Sequence, residues 1–388
     1  MGTSYHRAFL TVACCSGYFV MGLVISLIGV GLNAFGEQLS VSPTEIGSGF
    51  FLAIGSATFI MLFAAGPLID RFGQKCVLVA GSIFCGVSVL LLSRISSFAS
   101  ACWIMFLLGS GTAGLNAGAN TLINHLYPQN PGRALNLVNI FFGLGAVSVP
   151  LLASWLFLSF GLIHLLILTA GFCFLPAILF ASSGFPSETQ MARFSLKEAA
   201  LALSDPLVPL FALVLFFYVG LEASLGIWSR LAVVDKWKVH APFDQIILAG
   251  FWASLVIGRL AAGTIFKYFP SHKLVLYCAV GSCIGLTGYL LGPSVEMASA
   301  ALWFSGLCFA PIFPSTLGSV GTCFKRYTGT IFSLVIAMGV LGSVALSTAV
   351  GKLGGSSSLS NAFRLILAVA FLMLITQIMI SRKVRKRL

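Results

Sequence analysis

The sequence predicts an all-α membrane protein: twelve transmembrane helices in two six-helix halves related by pseudo-two-fold symmetry. Three observations predict it. The first is composition. The 388 residues are 58% hydrophobic and 8% charged, with a mean hydropathy of +1.02, whereas a soluble domain carries about 25% charged residues. Such a chain cannot cover itself in water. The second is a series of apolar runs of about 18–26 residues, each long enough to cross a hydrocarbon core of about 30 Å as a helix. The ten-residue alternation of a membrane β-barrel is not seen. The third is internal repetition. Gly66 to Lys75 with its following apolar run corresponds to Gly263 to Lys273 and the run after it, Gly66 and Gly263 lying 197 residues apart. Gly145-Ala-Val-Ser-Val-Pro corresponds to Gly342-Ser-Val-Ala-Leu-Ser at the same offset of 197. Parallel repeats of this kind imply a substrate path between the halves near the bilayer midplane.

The spans read as about 8–33, 46–69, 76–93, 100–126, 134–158, 161–183, 207–231, 244–266, 273–292, 297–320, 328–351 and 361–381. Met1 to Arg7 leads directly into the first run, so no cleavable signal peptide is expected. The long connection 184–206 carries Glu188, Arg193, Lys197, Glu198 and Asp205. It reads as a cytoplasmic linker between an N-terminal bundle, 1–183, and a C-terminal bundle with a basic tail, 207–388.

Lysine and arginine set the orientation. With both termini cytoplasmic, Arg7, Arg71, Lys75, Arg133 and the basic cluster Arg382–Arg387 fall inside, while Arg94, Arg230, Lys236, Lys238, Lys352 and Arg364 fall outside. This is the positive-inside bias, and an even span count agrees with it. The net charge of +12 is therefore a topology signal and not a nucleic-acid signal. The tail reads as an anchor that anionic lipid headgroups also attract. The expected location is a bacterial inner membrane and the expected state a monomer. The ten cysteines lack metal spacing and read as small packing residues. No phosphate loop, metal cluster or nucleophile triad is present, so neither an enzyme, a cofactor nor a metal is expected.

Polar groups inside a membrane are costly and tend to be functional. Asn116, Asn120 and Asn124 recur at i, i+4, i+8 on one face of the fourth span, and the fifth adds Asn136 and Asn139. An amide both donates and accepts, which suits a hydroxyl-rich solute; the same amides can also brace helices. Asn116 and Asn120 are read as functional and Asn124 as structural. Glu222 reads as the sole carboxylate well inside a span: a proton carrier, a cation ligand or a hydrogen-bond partner for substrate. Tyr218 precedes it by one turn. Trp228 and Trp252 are path-lining candidates whose alternative is packing. Arg259 either closes a cytoplasmic gate or snorkels to the interface. His164 reads as structural. Pro150, Pro311 and Pro314 are expected to bend or interrupt helices.

The stretch Gly66-Pro-Leu-Ile-Asp70-Arg71-Phe-Gly73-Gln-Lys75 sits between two apolar runs and reads as a compact charged turn. It resembles the G-x-L-x-D-R-x-G-x-K/R motif of the major facilitator superfamily, between the second and third helices. That resemblance implies a gate built from Gly66, Asp70, Arg71, Gly73 and Lys75. In the second half Lys267 stands where Asp70 would be, so the latch is expected on one side only, engaging a helix end or cation of the other half.

Three further stretches resemble the fucose/glucose–galactose permease branch of sugar:proton symporters: Gly114-Leu-Asn-Ala-Gly-Ala-Asn120, Leu135 to Ala146, and Tyr218-Val-Gly-Leu-Glu222. Phe313-Pro-Ser-Thr-Leu317 matches a tenth-helix feature of that branch. The departures are specific. Asn116 stands where the branch has an acid, Gly29 or its neighbours replace a first-helix acid of the fucose members, Asn139 replaces a glutamine, and Phe142 replaces an asparagine. Proton coupling therefore does not carry over residue by residue. Glu222 remains the coupling candidate, or the protein is uncoupled or cation-coupled. Drug antiporters usually carry an arginine where this chain has Met105, before Gly109-Ser-Gly111.

The expected function is alternating-access transport of a small polar solute, a sugar or polyol, held by Asn116, Asn120, Asn139, Glu222, Tyr218, Trp228 and Trp252. The alternatives are efflux of amphipathic compounds, favoured by the Phe-rich spans, and a non-transporting membrane sensor of the same fold.

Overall fold

A computed structural model describes residues 6–127, 131–159, 161–186, 204–264, 269–324 and 328–387. The chain divides into two compact units, Met1–Arg193 and Phe194–Leu388. The first holds α1 (Arg7–Leu39), α2 (Pro43–Phe72), α3 (Gln74–Leu92), α4 (Phe98–Leu126), α5 (Pro131–Ser159) and α6 (Gly161–Ser182). The second holds α7 (Leu207–Trp237), α8 (Phe243–Thr264), α9 (Ser271–Leu291), α10 (Val295–Phe309), α11 (Ile312–Cys323), α12 (Thr328–Ser356) and α13 (Leu359–Arg387). Since α10 and α11 together form one span, Val295–Cys323, twelve segments among the described residues are long and apolar enough to cross a membrane. Helices dominate because lipid offers backbone groups no hydrogen-bond partner, so each span must satisfy its own. Apolar side chains such as Ile178, Ile284 and Ile375 face outward, as a lipid solvent permits.

Local signals set the helix ends. Ser42 and Glu45 form a reciprocal capping box at the start of α2, with Pro43 in the first turn, where its missing N–H costs nothing. Ser97 and Ser100 do the same for α4. The charged motif departs from its reading as a ten-residue turn. Helix α2 continues through Pro67 to Phe72, so Gly66, Asp70 and Arg71 lie in its last turns, and Gly73 alone separates α2 from α3. Gly73 has φ 82° and ψ 150°, a region that a side chain makes strained. Gly73→Val is expected to cost about 1–3 kcal/mol and to lower the melting temperature in detergent. Gly171→Val is the control, because a Cβ there meets nothing within 4 Å.

Proline acts differently at each site. Helix α5 runs unbroken through Pro150. At Pro311 the tenth span does break: α10 ends at Phe309 and Pro311 caps α11. Pro314, the third residue of α11, sits in its first turn, where an absent N–H is tolerated.

In each unit the tightest seam joins the first helix to the fifth span, α1 to α5 and α7 to α12. Glycine makes both possible. A Cβ on Gly22 would overlap the Phe142 carbonyl oxygen, and one on Gly145 would overlap that of Phe19. In the second unit a Cβ on Gly342 would overlap the Phe216 carbonyl oxygen, and one on Gly220 would come within 2.8 Å of that of Gly342. Gly145 and Gly342 are the pair related by the offset of 197. The sequence repeat thus marks the same backbone-to-backbone approach in both units, the small-residue packing that lipid-embedded helices use.

Candidate solute-binding and coupling groups

In the first unit the i, i+4 spacing on α4 aligns Asn116 and Asn120, and α1 adds a residue that sequence reading passed over. The Tyr18 hydroxyl donates to Asn120 Oδ1 at 2.8 Å, and Asn120 Nδ2 donates to Asn116 Oδ1 at 2.5 Å. Tyr18 is buried, Asn120 half-buried and Asn116 exposed. The result is a directed chain. Its anchored end lies in the bundle, and the amide nitrogen of Asn116, its open end, donates to no partner among the described residues. Asn139 donates to the Leu135 carbonyl of its own helix at 3.0 Å, and no hydrogen bond is seen between it and Asn116 or Asn120. The side chains of Asn124 and Asn136 lie outside the described residues.

In the second unit α7 and α8 bring Glu222 and Arg259 together, Nη2 to Oε1 at 3.2 Å, each side chain 15% exposed. Tyr218 lies one turn before Glu222, and its buried hydroxyl forms no hydrogen bond among the described residues. Its ring is held edge-on by Phe309, with centroids 5.9 Å apart, and tilted against Phe313 at 6.3 Å. These two phenylalanines lie on either side of the break at Pro311.

The two tryptophans are placed differently. Trp228 is fully buried and donates its indole N–H to the Ser347 carbonyl at 3.0 Å, beside a Ser224–Ser347 hydroxyl contact of 3.1 Å. It braces the α7–α12 seam. Trp252 is also buried; its ring packs on Phe251 and fills the space over Gly226.

The gate motif is engaged within its own unit. Lys75 Nζ donates to the Ser183 carbonyl at 3.0 Å, just past the end of α6, where a cation is favoured by the helix dipole. Gln74 donates to the Gly118 carbonyl on α4 at 2.9 Å. Arg71 is exposed and lies over the Phe72 ring. The side chains of Asp70 and Gly66, and Lys267, lie outside the described residues.

One pair was missed. Arg230 and Asp244 form an ion pair of 2.8 Å with side chains only 4% and 6% exposed. Asp244 lies in the first turn of α8, so Glu222 keeps its place as the carboxylate well inside a span, but Asp244 is a second buried acid and Arg230 a buried cation. A lone charge at either position reads as loop. The signal available was their opposite sign, bracketing one short hairpin. His164 is exposed. Among the described residues no group of three metal-ligating side chains converges.

Residues 14–298 match the Major Facilitator Superfamily. The chain is 24% identical over 358 residues to a putative glucose/galactose transporter of Helicobacter pylori strain J99, covering 85% of each chain. It is also 24% identical over 393 residues to the enterobactin exporter EntS of Citrobacter koseri, covering 95% of this chain and 92% of that one. Among solved structures it resembles a D-xylose–proton symporter, with a TM-score of 0.80, 13% identity and 97% coverage of both chains. The chain is a multi-pass integral membrane protein and belongs to the transporters of the major facilitator superfamily.

Proposed function

We propose that this transporter moves a small hydroxyl-rich solute, a sugar or related polyol, by alternating access in a bacterial inner membrane, as a monomer with both termini cytoplasmic. The observation that carries the reading is the Tyr18–Asn120–Asn116 chain. A purely structural brace would close on itself inside the bundle. This one ends on an exposed amide with donors to spare, the group a hydroxyl would meet. The likeness to a glucose/galactose transporter supports the solute class. Asn139, Glu222, Tyr218 and Trp252 complete the proposed set; Trp228 contributes as a brace. Gly66, Asp70, Arg71, Gly73, Lys75 and Arg259 form the proposed gate, and Glu222 is the proposed coupling group.

The test is uptake of labelled neutral sugars and polyols, and of their acid derivatives, into proteoliposomes, with and without a pH gradient. Saturable uptake that Asn120→Ala reduces at least tenfold is the expected result. Removing the central link leaves Tyr18 with a buried hydroxyl unpaired, which costs about 1–3 kcal/mol. Absence of saturable flux for the whole panel overturns the reading. Export of amphipathic compounds is the second reading, favoured by the equal identity to the enterobactin exporter and by the 34 phenylalanines. Resistance profiles of an overexpressing strain separate the two.

A further inference from the structure

We infer that Tyr18 fixes the polarity of the amide site on α4, so that the solute is recognised there through a hydrogen-bond acceptor and not through a donor. Tyr18 is then a specificity-determining residue that need not touch the solute. The inference rests on the transporter reading and specifies what its solute must present.

An asparagine side chain has two faces. Its oxygen accepts, its nitrogen donates, and turning the amide over exchanges the two. A pair of amides by itself therefore has no preferred direction: Asn120 can donate to Asn116 or accept from it in the same geometry. Tyr18 removes that freedom. It is 3% exposed, and a hydroxyl hydrogen buried without an acceptor is strongly disfavoured. The acceptor it meets among the described residues is Asn120 Oδ1, at 2.8 Å. With that oxygen held towards Tyr18, the Asn120 nitrogen points the other way and donates to Asn116 Oδ1. With this second oxygen engaged as well, the Asn116 nitrogen stands at the open end with both N–H protons unused. Asn116 is exposed, while its neighbours Leu115 and Ala119 are fully buried, so α4 turns this amide outward.

The frame around the chain is rigid. A Cβ on Gly109 would come within 2.6 Å of the Ile54 carbonyl oxygen on α2, and one on Gly111 within 2.7 Å of that of Gly81 on α3. Just past the end of α4, Tyr127 shares a hydroxyl contact of 2.9 Å with Thr11 of α1 and lies under the Arg7 guanidinium. One turn beyond Tyr18, Gly22 forms the crossing of α1 with α5. Rotating either helix to reverse the chain would break these contacts.

The consequence is chemical. A hydroxyl or ether oxygen offers the lone pair that the open end needs. An ammonium group offers only protons and meets N–H groups. A sugar hydroxyl bound here acts through its lone pair, so its oxygen is required and its proton is not.

The test uses the full chain in proteoliposomes. Deoxy and deoxyfluoro analogues of D-glucose and D-galactose compete with the labelled parent sugar in counterflow. Fluorine keeps a weak acceptor where the hydroxyl was and cannot donate, whereas hydrogen does neither. At one ring position the fluoro analogue should compete at least about threefold better than the deoxy analogue. Tyr18→Phe should erase that preference, because Asn120 can then turn over, whatever affinity the parent sugar loses. A tyrosine that merely packed would weaken parent and analogues in parallel and keep their ratio. Asn116→Asp gives a second readout at the exposed end: a carboxylate offers acceptors alone, so the fluoro analogue should fall below the deoxy one. Equal competition by fluoro and deoxy analogues at every position of the unmodified chain overturns the inference and leaves the transporter reading standing. A preference that Tyr18→Phe leaves unchanged also overturns it. Counterflow of neither sugar overturns it too, and the wider panel of neutral solutes then decides the reading beneath it. If Tyr18→Phe yields no folded protein, Asn116→Asp decides: inversion of the fluoro preference supports the inference, and its persistence overturns it.

Discussion

Gly145→Leu should yield no monodisperse protein after detergent extraction, and Gly342→Leu should fail in the same way. The expected effect is large because of what the new side chain meets. Overpacking a core ordinarily costs about 1–3 kcal/mol, since neighbouring side chains can shift. Here the obstacle is backbone: the carbonyl oxygen of Phe19 at Gly145 and that of Phe216 at Gly342. A carbonyl inside a helix cannot move without breaking its own hydrogen bond, so the two helices must separate along their length. Each helix pair, α1 with α5 and α7 with α12, is the most extensive contact of its unit. Size-exclusion chromatography of a fluorescent fusion checks the prediction. Gly171→Leu should give a normal peak, because that position faces open space. Equal recovery of all three variants would show that the glycine seams do not carry the fold.

Arg259→Gln should destabilise the protein more than the double change Glu222→Gln with Arg259→Gln. Removing one partner of a buried pair costs about 3–5 kcal/mol, because the remaining charge loses its compensation, whereas replacing both can be close to neutral. The side chains are 15% exposed, so solvent screening makes the lower end of that range the expectation. Thermal unfolding of the four forms in one detergent gives the coupling energy by a double-mutant cycle. The Arg230–Asp244 pair offers the comparison. At 4% and 6% exposure it should show a larger coupling than Glu222–Arg259. The reverse order would mean that local water or other contacts, rather than burial, set the strength of these pairs.

The charged motif shows where linear reading succeeds and where it stops. Its residue order marked the junction of the second and third spans, because charges and glycine interrupt an apolar run there. It could not show that α2 persists to Phe72, since helix continuation through Pro67 depends on the hydrogen-bonding demand of the span and not on local propensity. Nor could it show that Lys75 is committed to the end of α6 at Ser183, a residue 108 positions away. The asparagines illustrate the same division. The spacing of Asn116 and Asn120 announced a shared face, and their hydrogen bond follows from helix geometry alone. The donor that anchors them, Tyr18, lies 102 residues from Asn120 and reads in sequence as one more aromatic residue in an apolar run.

Sequence alone determined the class, the twelve spans and the internal repeat. Those properties follow from one-dimensional quantities: run length, hydrophobicity and period. Tertiary structure decided which polar groups became partners. It joined Glu222 to Arg259 and Arg230 to Asp244, assigned Trp228 to a seam, and closed both glycine crossings. Such pairings depend on how helices far apart in the chain come into register, and in lipid that register is set by backbone approach and side-chain fit, neither of which is written at any single position.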